Sequence, residues 1–160
     1  MRKMLDPRRW GPLLAFPMTT LEDAMLLAVQ AHQQQKDKAG APYILHPLRV
    51  MLRMRSGLEM MVAVLHDVLE DTPYTLLDLQ QAGYSEQVLE ALDCLTRREN
   101  ETYEEFIERV KANPLARRVK IADLEDNMDM RRISNPQEKD MERLKKYRRA
   151  WSDLTKEMTR

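Results

Sequence analysis

Apolar residues along the chain recur mostly at three- and four-residue intervals, the period of an amphipathic helix. Leu21, Met25, Ala28, Val29 and His32 keep this spacing behind Thr19-Thr20, either of which can cap a helix with Glu22 and Asp23 in its first turn. Lys38-Ala39-Gly40-Ala41-Pro42 breaks the pattern. A second helix starts near Pro47, runs through Val50, Met51 and Met54, and stops at Ser56-Gly57. Leu58 to Leu69 reads as one strongly apolar helix ended by Thr72-Pro73. Thr75 to Gln81 is a short helix closed by Gly83, and Ser85 opens another through Val88, Leu89, Leu92 and Leu95. Thr102 caps a helix with Phe106, Ile107 and Val110; Asn113-Pro114 opens one with Leu115, Val119, Ile121, Ala122 and Leu124. After Asn135-Pro136 comes a charged helix from about Gln137 to Met158, with Leu144, Tyr147, Trp151, Leu154 and Met158 as a stripe that reads as core. Alternating runs of β-branched residues are missing, so the pattern predicts an all-α bundle of about seven or eight helices. Residues 1–18, with three prolines and a glycine, read as an irregular arm; Trp10 and Phe16 could pin it to the body or to a second subunit, which leaves a homo-oligomer open.

Composition narrows the classes. A chain of 160 residues fits one domain with its own core. With 43% apolar and 32% charged residues it is neither collagen-like nor wholly disordered. Lys+Arg 26 and Asp+Glu 26 cancel, which argues against a dedicated nucleic-acid binder. A single cysteine, Cys94, forms no internal disulfide and points to a reducing compartment. No apolar run approaches the ~20 residues that span a bilayer, and the start lacks a signal-peptide core. The expectation is a soluble, cytoplasmic protein.

The sharpest chemical feature is His66-Asp67-Val68-Leu69-Glu70-Asp71-Thr72, where polar groups interrupt an apolar helix. His66 and Glu70, like Asp67 and Asp71, are four apart and share one broad helical face. Burying such groups is costly unless they are paired or bind a metal. The two acids also sit at a helix C-terminus, where the dipole disfavours them and a cation would compensate. His32 ends the first apolar stripe, and Asp123 and Asn127 lie four apart on another apolar helix. Two imidazoles with two carboxylates and no thiolate suit Mn²⁺ or Fe²⁺ with open water positions better than a closed structural zinc. Taken singly, each element is ordinary: a lone His-Asp pair is most often a surface feature, and a lone His32 most often a satisfied core histidine.

Together these residues resemble a known family. Val64-Leu65-His66-Asp67-Val68-Leu69-Glu70-Asp71-Thr72 is similar to the HD-domain metal phosphohydrolases, and more narrowly to the (p)ppGpp hydrolase domain of RelA/SpoT-type enzymes and their small stand-alone relatives. Ala31-His32, Gly40-Ala41-Pro42-Tyr43-Ile44-Leu45-His46-Pro47-Leu48, Val88…Leu92…Thr96 and Lys120-Ile121-Ala122-Asp123-Leu124-Glu125-Asp126-Asn127-Met128 extend the likeness, in family order, from about Thr20 to Ile133. The chain is too short to hold the family's synthetase domain as well. The resemblance implies an HD-type hydrolase domain over residues 19–160, with His32, His66, Asp67 and Asp123 ligating Mn²⁺. It implies that Glu70 and Asp71 position or activate the attacking water, that Asn127 helps hold substrate and that Lys38 faces a phosphate. Tyr43 and His46-Pro47 look like a loop shaping the substrate site, with His46 read as a hydrogen-bonded structural histidine. Asp126, beside Asn127, is set aside because the family's ligand is the Asp after Ala, here Asp123.

Two stretches depart from the family. Its loop before the Gly-x-Pro-Tyr block usually carries Arg-Lys-Ser, with the Arg stacked on guanine; here it reads Asp37-Lys38-Ala39, and an acid offers no cationic stacking surface. The Arg-Leu that usually follows the ligand Asp is Leu124-Glu125. The implied substrate is guanosine 3′,5′-bis(diphosphate), with another nucleotide as rival, which would make the protein a nucleotidase or an NADPH phosphatase. A catalytically silent nucleotide-binding or regulatory module is the rival from another class. Its support is basic ends: four Lys/Arg against one Asp in the first nine residues, and eight Lys/Arg against five Asp/Glu in Gln137–Arg160. Mixed-sign helix faces of this kind are usually just solvated.

Overall fold

The computed structural model describes residues 19–133 and 135–156. The arm assigned to residues 1–18, with Trp10 and Phe16, and the stripe position Met158 lie outside the described residues. Within them the fold is all-α: α1 Leu21–Ala31, α2 Leu45–Leu52, α3 Gly57–Leu65, α4 Val68–Asp71, α5 Leu76–Gln81, α6 Glu86–Leu95, α7 Tyr103–Ala112, α8 Pro114–Asn127 and α9 Glu138–Thr155, with a 3₁₀ turn at Met130–Arg132. The described residues hold no β-strand, only an isolated bridge between Lys36 and Pro42. No helix among them is long and apolar enough to cross a membrane.

The helices start where side-chain oxygens can take up the first free amides. Thr20, Thr75 and Thr102 each close a capping box, with Asp23, Asp78 and Glu105 respectively. Asn113 Oδ1 accepts from the amides of Leu115 (3.0 Å) and Ala116 (2.9 Å), and Pro114 fills the first helical position. Asn113→Ala should therefore lower stability by about 1 kcal/mol. The check is a lower urea midpoint at unchanged slope. At the other end of α5, Gly83 sits at φ 92°, a left-handed conformation that favours glycine. It lets the Gly83 and Tyr84 amides reach back to the carbonyls of Gln80 and Leu79.

α3 runs through the middle of the molecule. Val62, Ala63, Val64 and Leu65 are all fully buried there, and α1, α2, α6 and α8 pack around it. Val88, Ala91 and Leu92 from α6 and Ala116, Val119 and Leu124 from α8 complete this core. α9 closes the bundle over α7 and α8; of its expected stripe, Leu154 is buried and Tyr147 and Trp151 pack against the core, whereas Leu144 is only half-buried and outside the core cluster.

One predicted helix is two. The apolar run expected to continue from Leu58 to Leu69 turns at His66-Asp67, between α3 and α4. In an unbroken helix the Ala63 carbonyl would receive the amide of Asp67. Here it accepts the His66 Nδ1–H at 2.7 Å, a local side-chain bond that competes with the helical ladder. The break places both polar side chains at the end of the central, most buried helix.

Candidate metal centre

Two imidazoles, His46 and His66, and two carboxylates, Asp67 and Asp123, meet at this break. His66 Nε2 lies 3.1 Å from Asp67 Oδ2 and 3.5 Å from Asp123 Oδ1. His46, near the start of α2, brings its Nε2 to 3.1 Å from Asp123 Oδ1 and 3.5 Å from Asp67 Oδ2. Ligand atoms of His46, His66 and Asp67 all fall within 4.8 Å of one another, a spread that one ion can bridge. His32, the residue that ends α1, stands beside them: its ring is 5.0 Å from Tyr43, which is 5.9 Å from His46, itself 5.2 Å from His66.

The imidazoles share a tautomer. His66 Nδ1 donates to a backbone carbonyl, His46 Nδ1 donates to Asp126 Oδ2 at 2.7 Å, and His32 Nδ1 donates to Gln35 Oε1 at 2.9 Å. Gln35 Nε2 donates to the Asp71 carbonyl, which fixes the amide so that its oxygen faces the ring. In neutral rings every Nε2 therefore keeps a free lone pair. Those of His32 and His66 are buried without a hydrogen-bond partner. Orphaned buried acceptors are rare and costly. Rings anchored through one nitrogen with the other left open are how proteins present histidine to a metal. The residues present fit a divalent cation.

The electrostatics agree. Burial alone would lower the pKa of His66, but the negative charges of Asp67 and Asp123 beside its Nε2 raise it well above the ordinary value. His46 is likewise raised, its burial outweighed by bonds to Asp123 and Asp126. Burial would push Asp123 up, yet Lys120, with Nζ 2.8 Å from Oδ2, and the two imidazoles hold it well below the usual carboxylate range. Asp67 is held at about 2, its burial overcome chiefly by His66. The centre demands positive charge, which protons supply when no cation does.

The other predicted residues fall into two groups. Tyr43 donates its hydroxyl to Asp67 Oδ2 (2.6 Å) and reaches Asp71 Oδ2 (3.2 Å), while Asn127 Nδ2 donates to Asp123 Oδ1 at 2.6 Å. These two residues, read as substrate contacts, are thus tied to the acids of the centre. Glu70 faces the 96–101 loop and accepts the Arg97 amide. Both residues are exposed, yet partial desolvation of their carboxyls and the neighbouring Asp67 charge raise the pKa of Glu70 and Asp71. Lys38 is exposed on its loop, and among the described residues it makes no hydrogen bond or ion pair to the cluster. Beside it, Asp37 Oδ1 accepts from the amides of Ala39 and Ala41, both at 2.9 Å, so the acid shapes the loop.

Sequence reasoning passed over three features. His46, read as structural, sits inside the cluster. Lys120, three residues before Asp123 on the same apolar helix, is its charge partner; the i,i+3 spacing was the available signal. Arg109 on α7 holds the loop behind Glu70. Its guanidinium grips both oxygens of Glu101 (2.7 and 2.8 Å) and donates to the carbonyls of Asp93 and Thr96. Arg109→Met should cost roughly 2–4 kcal/mol, since it strands several acceptors at once. For a domain of this size the melting temperature should drop by roughly 5–15 °C. Arg109 holds the Glu101 carboxyl at about 2, below its unfolded value. That share of stability is complete above the unfolded carboxylate range and fades as pH falls through about 2. The gap between variant and wild type should therefore narrow in acid, which melting curves across pH will check.

No protein-family model matches the chain. Over 81 residues it is 38% identical to the bifunctional (p)ppGpp synthase/hydrolase SpoT of Escherichia coli strain K12, covering 48% of this chain and 11% of that protein. A guanosine-3′,5′-bis(diphosphate) 3′-pyrophosphohydrolase from Aquifex aeolicus is 30% identical over 120 residues, 68% of this chain and 17% of its own length. A GTP pyrophosphokinase from Streptomyces coelicolor is 31% identical over 121 residues, covering 68% of this chain and 14% of its own. The chain thus spans between a tenth and a fifth of the length of these curated relatives. Among solved structures, a metazoan SpoT ortholog, described as hydrolysing ppGpp and acting in starvation responses, superposes with a TM-score of 0.70 at 22% identity, covering 89% of this chain and 88% of that one. That likeness shows the fold: the all-α arrangement is the one found in the SpoT ortholog.

Proposed function

We propose that residues 19–160 form an HD-type domain that hydrolyses a nucleotide phosphate ester with a divalent cation, and that its first substrate is guanosine 3′,5′-bis(diphosphate), cleaved at the 3′ position. The observation that carries this reading is the pair of imidazoles, His46 and His66, anchored through Nδ1 with Nε2 facing half-buried Asp67 and buried Asp123. The names of the relatives supply the substrate. His32, His66, Asp67 and Asp123 would hold the ion; nitrogen and oxygen donors without sulfur suit Mn²⁺ or Fe²⁺, and Mn²⁺ is the one the family resemblance implies. A bound cation would lower the pKa of water and offset charge on the phosphoryl oxygens.

The chain's own groups do the rest. Tyr43 fixes Asp67 and Asp71 through its hydroxyl. Glu70 and Asp71, whose raised carboxyls make better bases than ordinary acids, orient the attacking water and take its proton. The water oxygen bonds to the phosphorus next to the ribose, the 3′-oxygen–phosphorus bond breaks, and pyrophosphate and GDP are released. Asn127 steadies Asp123 and meets the substrate with its remaining amide atoms, and Lys38 offsets phosphate charge from the loop. A reducing, cytoplasmic setting suits a chain with one cysteine.

One observation favours a second substrate. Asp37 stands where the family stacks an arginine on guanine, and its carboxylate is committed to loop amides. A nucleotide not recognised by that stacking, such as a deoxynucleoside monophosphate or NADPH, is the alternative. The test is release of phosphate and pyrophosphate from ppGpp, deoxynucleoside monophosphates and NADPH, with Mn²⁺ and with a chelator. Chelator-sensitive pyrophosphate release from ppGpp is the expected result. Faster release from NADPH or a monophosphate would transfer the assignment, and no release from any of them would reject hydrolysis.

A further inference from the structure

Asp126 and Arg49 have no task in the reading above, yet they are bonded directly to the site. Asp126 lies three residues beyond Asp123 on α8 and is 2% exposed. A buried carboxylate is costly unless its oxygens are filled. Arg49 donates from Nε to Oδ1 at 2.8 Å and from Nη2 to Oδ2 at 3.0 Å, and His46 Nδ1 donates to Oδ2 at 2.7 Å. The fork of two parallel bonds fixes the plane of the carboxylate. The carboxylate fixes the ring of His46, whose far nitrogen then falls between Asp123 and Asp67. A continuous chain of bonds thus runs from the partly exposed Arg49 guanidinium through Asp126 and His46 to two of the residues assigned to the cation.

We propose that Asp126, clamped by Arg49, is a positioning residue of the cation site: through His46 it holds Asp123 and Asp67 in the arrangement a divalent ion requires. This rests on the cation-site reading. A purely structural ion pair would need only Arg49 and Asp126. The third bond goes to a ring whose other end opens into the cluster. His66 is anchored by a backbone carbonyl and His32 by a neutral amide, so His46 differs in having a carboxylate behind it, a partner that makes an imidazole more basic and fixes its direction.

The experiment compares full-length wild type, Asp126→Asn and Arg49→Gln, each freed of metal by chelation. Each is titrated with Mn²⁺ by calorimetry and with Co²⁺ by visible absorption, and melting is recorded without metal. Asp126→Asn should bind Mn²⁺ roughly 10- to 100-fold more weakly and change the Co²⁺ bands, while melting without metal moves little. Arg49→Gln should weaken binding in the same direction, and it carries the test if Asp126→Asn does not fold. Wild-type affinity and bands in the variants, whatever their melting temperatures, would overturn the positioning role and leave the cation site standing. A wild-type chain that binds neither ion would overturn the site itself, and this inference with it.

Discussion

Asp67→Ala is expected to abolish turnover, with a loss of at least about 10³-fold, equivalent to roughly 4 kcal/mol of transition-state stabilisation, while the protein stays folded. The two halves of this expectation come from the same geometry. Asp67 contacts His66 at 3.1 Å and His46 at 3.5 Å and takes the Tyr43 hydroxyl at 2.6 Å, so it joins three of the side chains that define the centre. Removing it takes one ligand and one negative charge from the proposed ion, and ion affinity falls with both. The fold has less to lose. Asp123 and Asp71 repel the Asp67 carboxylate, but His66 attracts it more strongly, so its removal weakens the metal-free centre without touching the apolar core. Tyr43 retains Asp71 as an acceptor at 3.2 Å. The helical circular dichroism should therefore stay near wild type and the melting temperature without metal should fall only moderately, while Mn²⁺ binding and turnover disappear. Asp67→Asn separates the charge from the shape, since it keeps an oxygen for Tyr43 and should be nearly as inactive. Full activity in either variant would reject the cation assignment, and a collapse of the metal-free fold would make Asp67 a structural residue instead.

Which parts of this centre were legible in the sequence follows from how far each contact reaches along the chain. Helix starts were readable because a cap is a local event: Thr20, Ser85, Thr102 and Asn113 each bond amides two or three residues away. His66-Asp67 was visible because polar residues break an apolar stripe, but the turn they make was not. Periodicity cannot reveal that the His66 ring takes the Ala63 carbonyl. His46 was discounted because its partners lie 77 and 80 residues away, at Asp123 and Asp126. No spacing rule joins α2 to α8, and only their packing does. Asp37 shows the converse case. Comparison with a family motif could say that a stacking arginine is missing, whereas the two amides that the acid satisfies instead are a property of the folded loop.

Glu70→Gln carries the second large effect, a fall in kcat of roughly 10²- to 10⁴-fold, the range general-base groups contribute, with Mn²⁺ affinity unchanged. Glu70 accepts the amide of Arg97, and among the described residues no ion pair or hydrogen bond joins it to an imidazole. It is therefore outside the set that would hold the ion, and its carboxyl is raised by partial desolvation, as a base poised to take a proton should be. Glutamine is the informative replacement. Its side-chain oxygen can still accept the Arg97 amide, so the loop that Arg97 and Arg109 secure through Glu101 keeps its place. Only the ability to take a proton is lost. Calorimetric titration with Mn²⁺ and a kcat measurement at saturating substrate then give two independent numbers. Lower kcat with wild-type Mn²⁺ affinity makes Glu70 the group that handles the water's proton. Loss of Mn²⁺ binding would make it a ligand, and unchanged values of both would leave Asp71, on the Tyr43 side of the centre, as the acid that does this work.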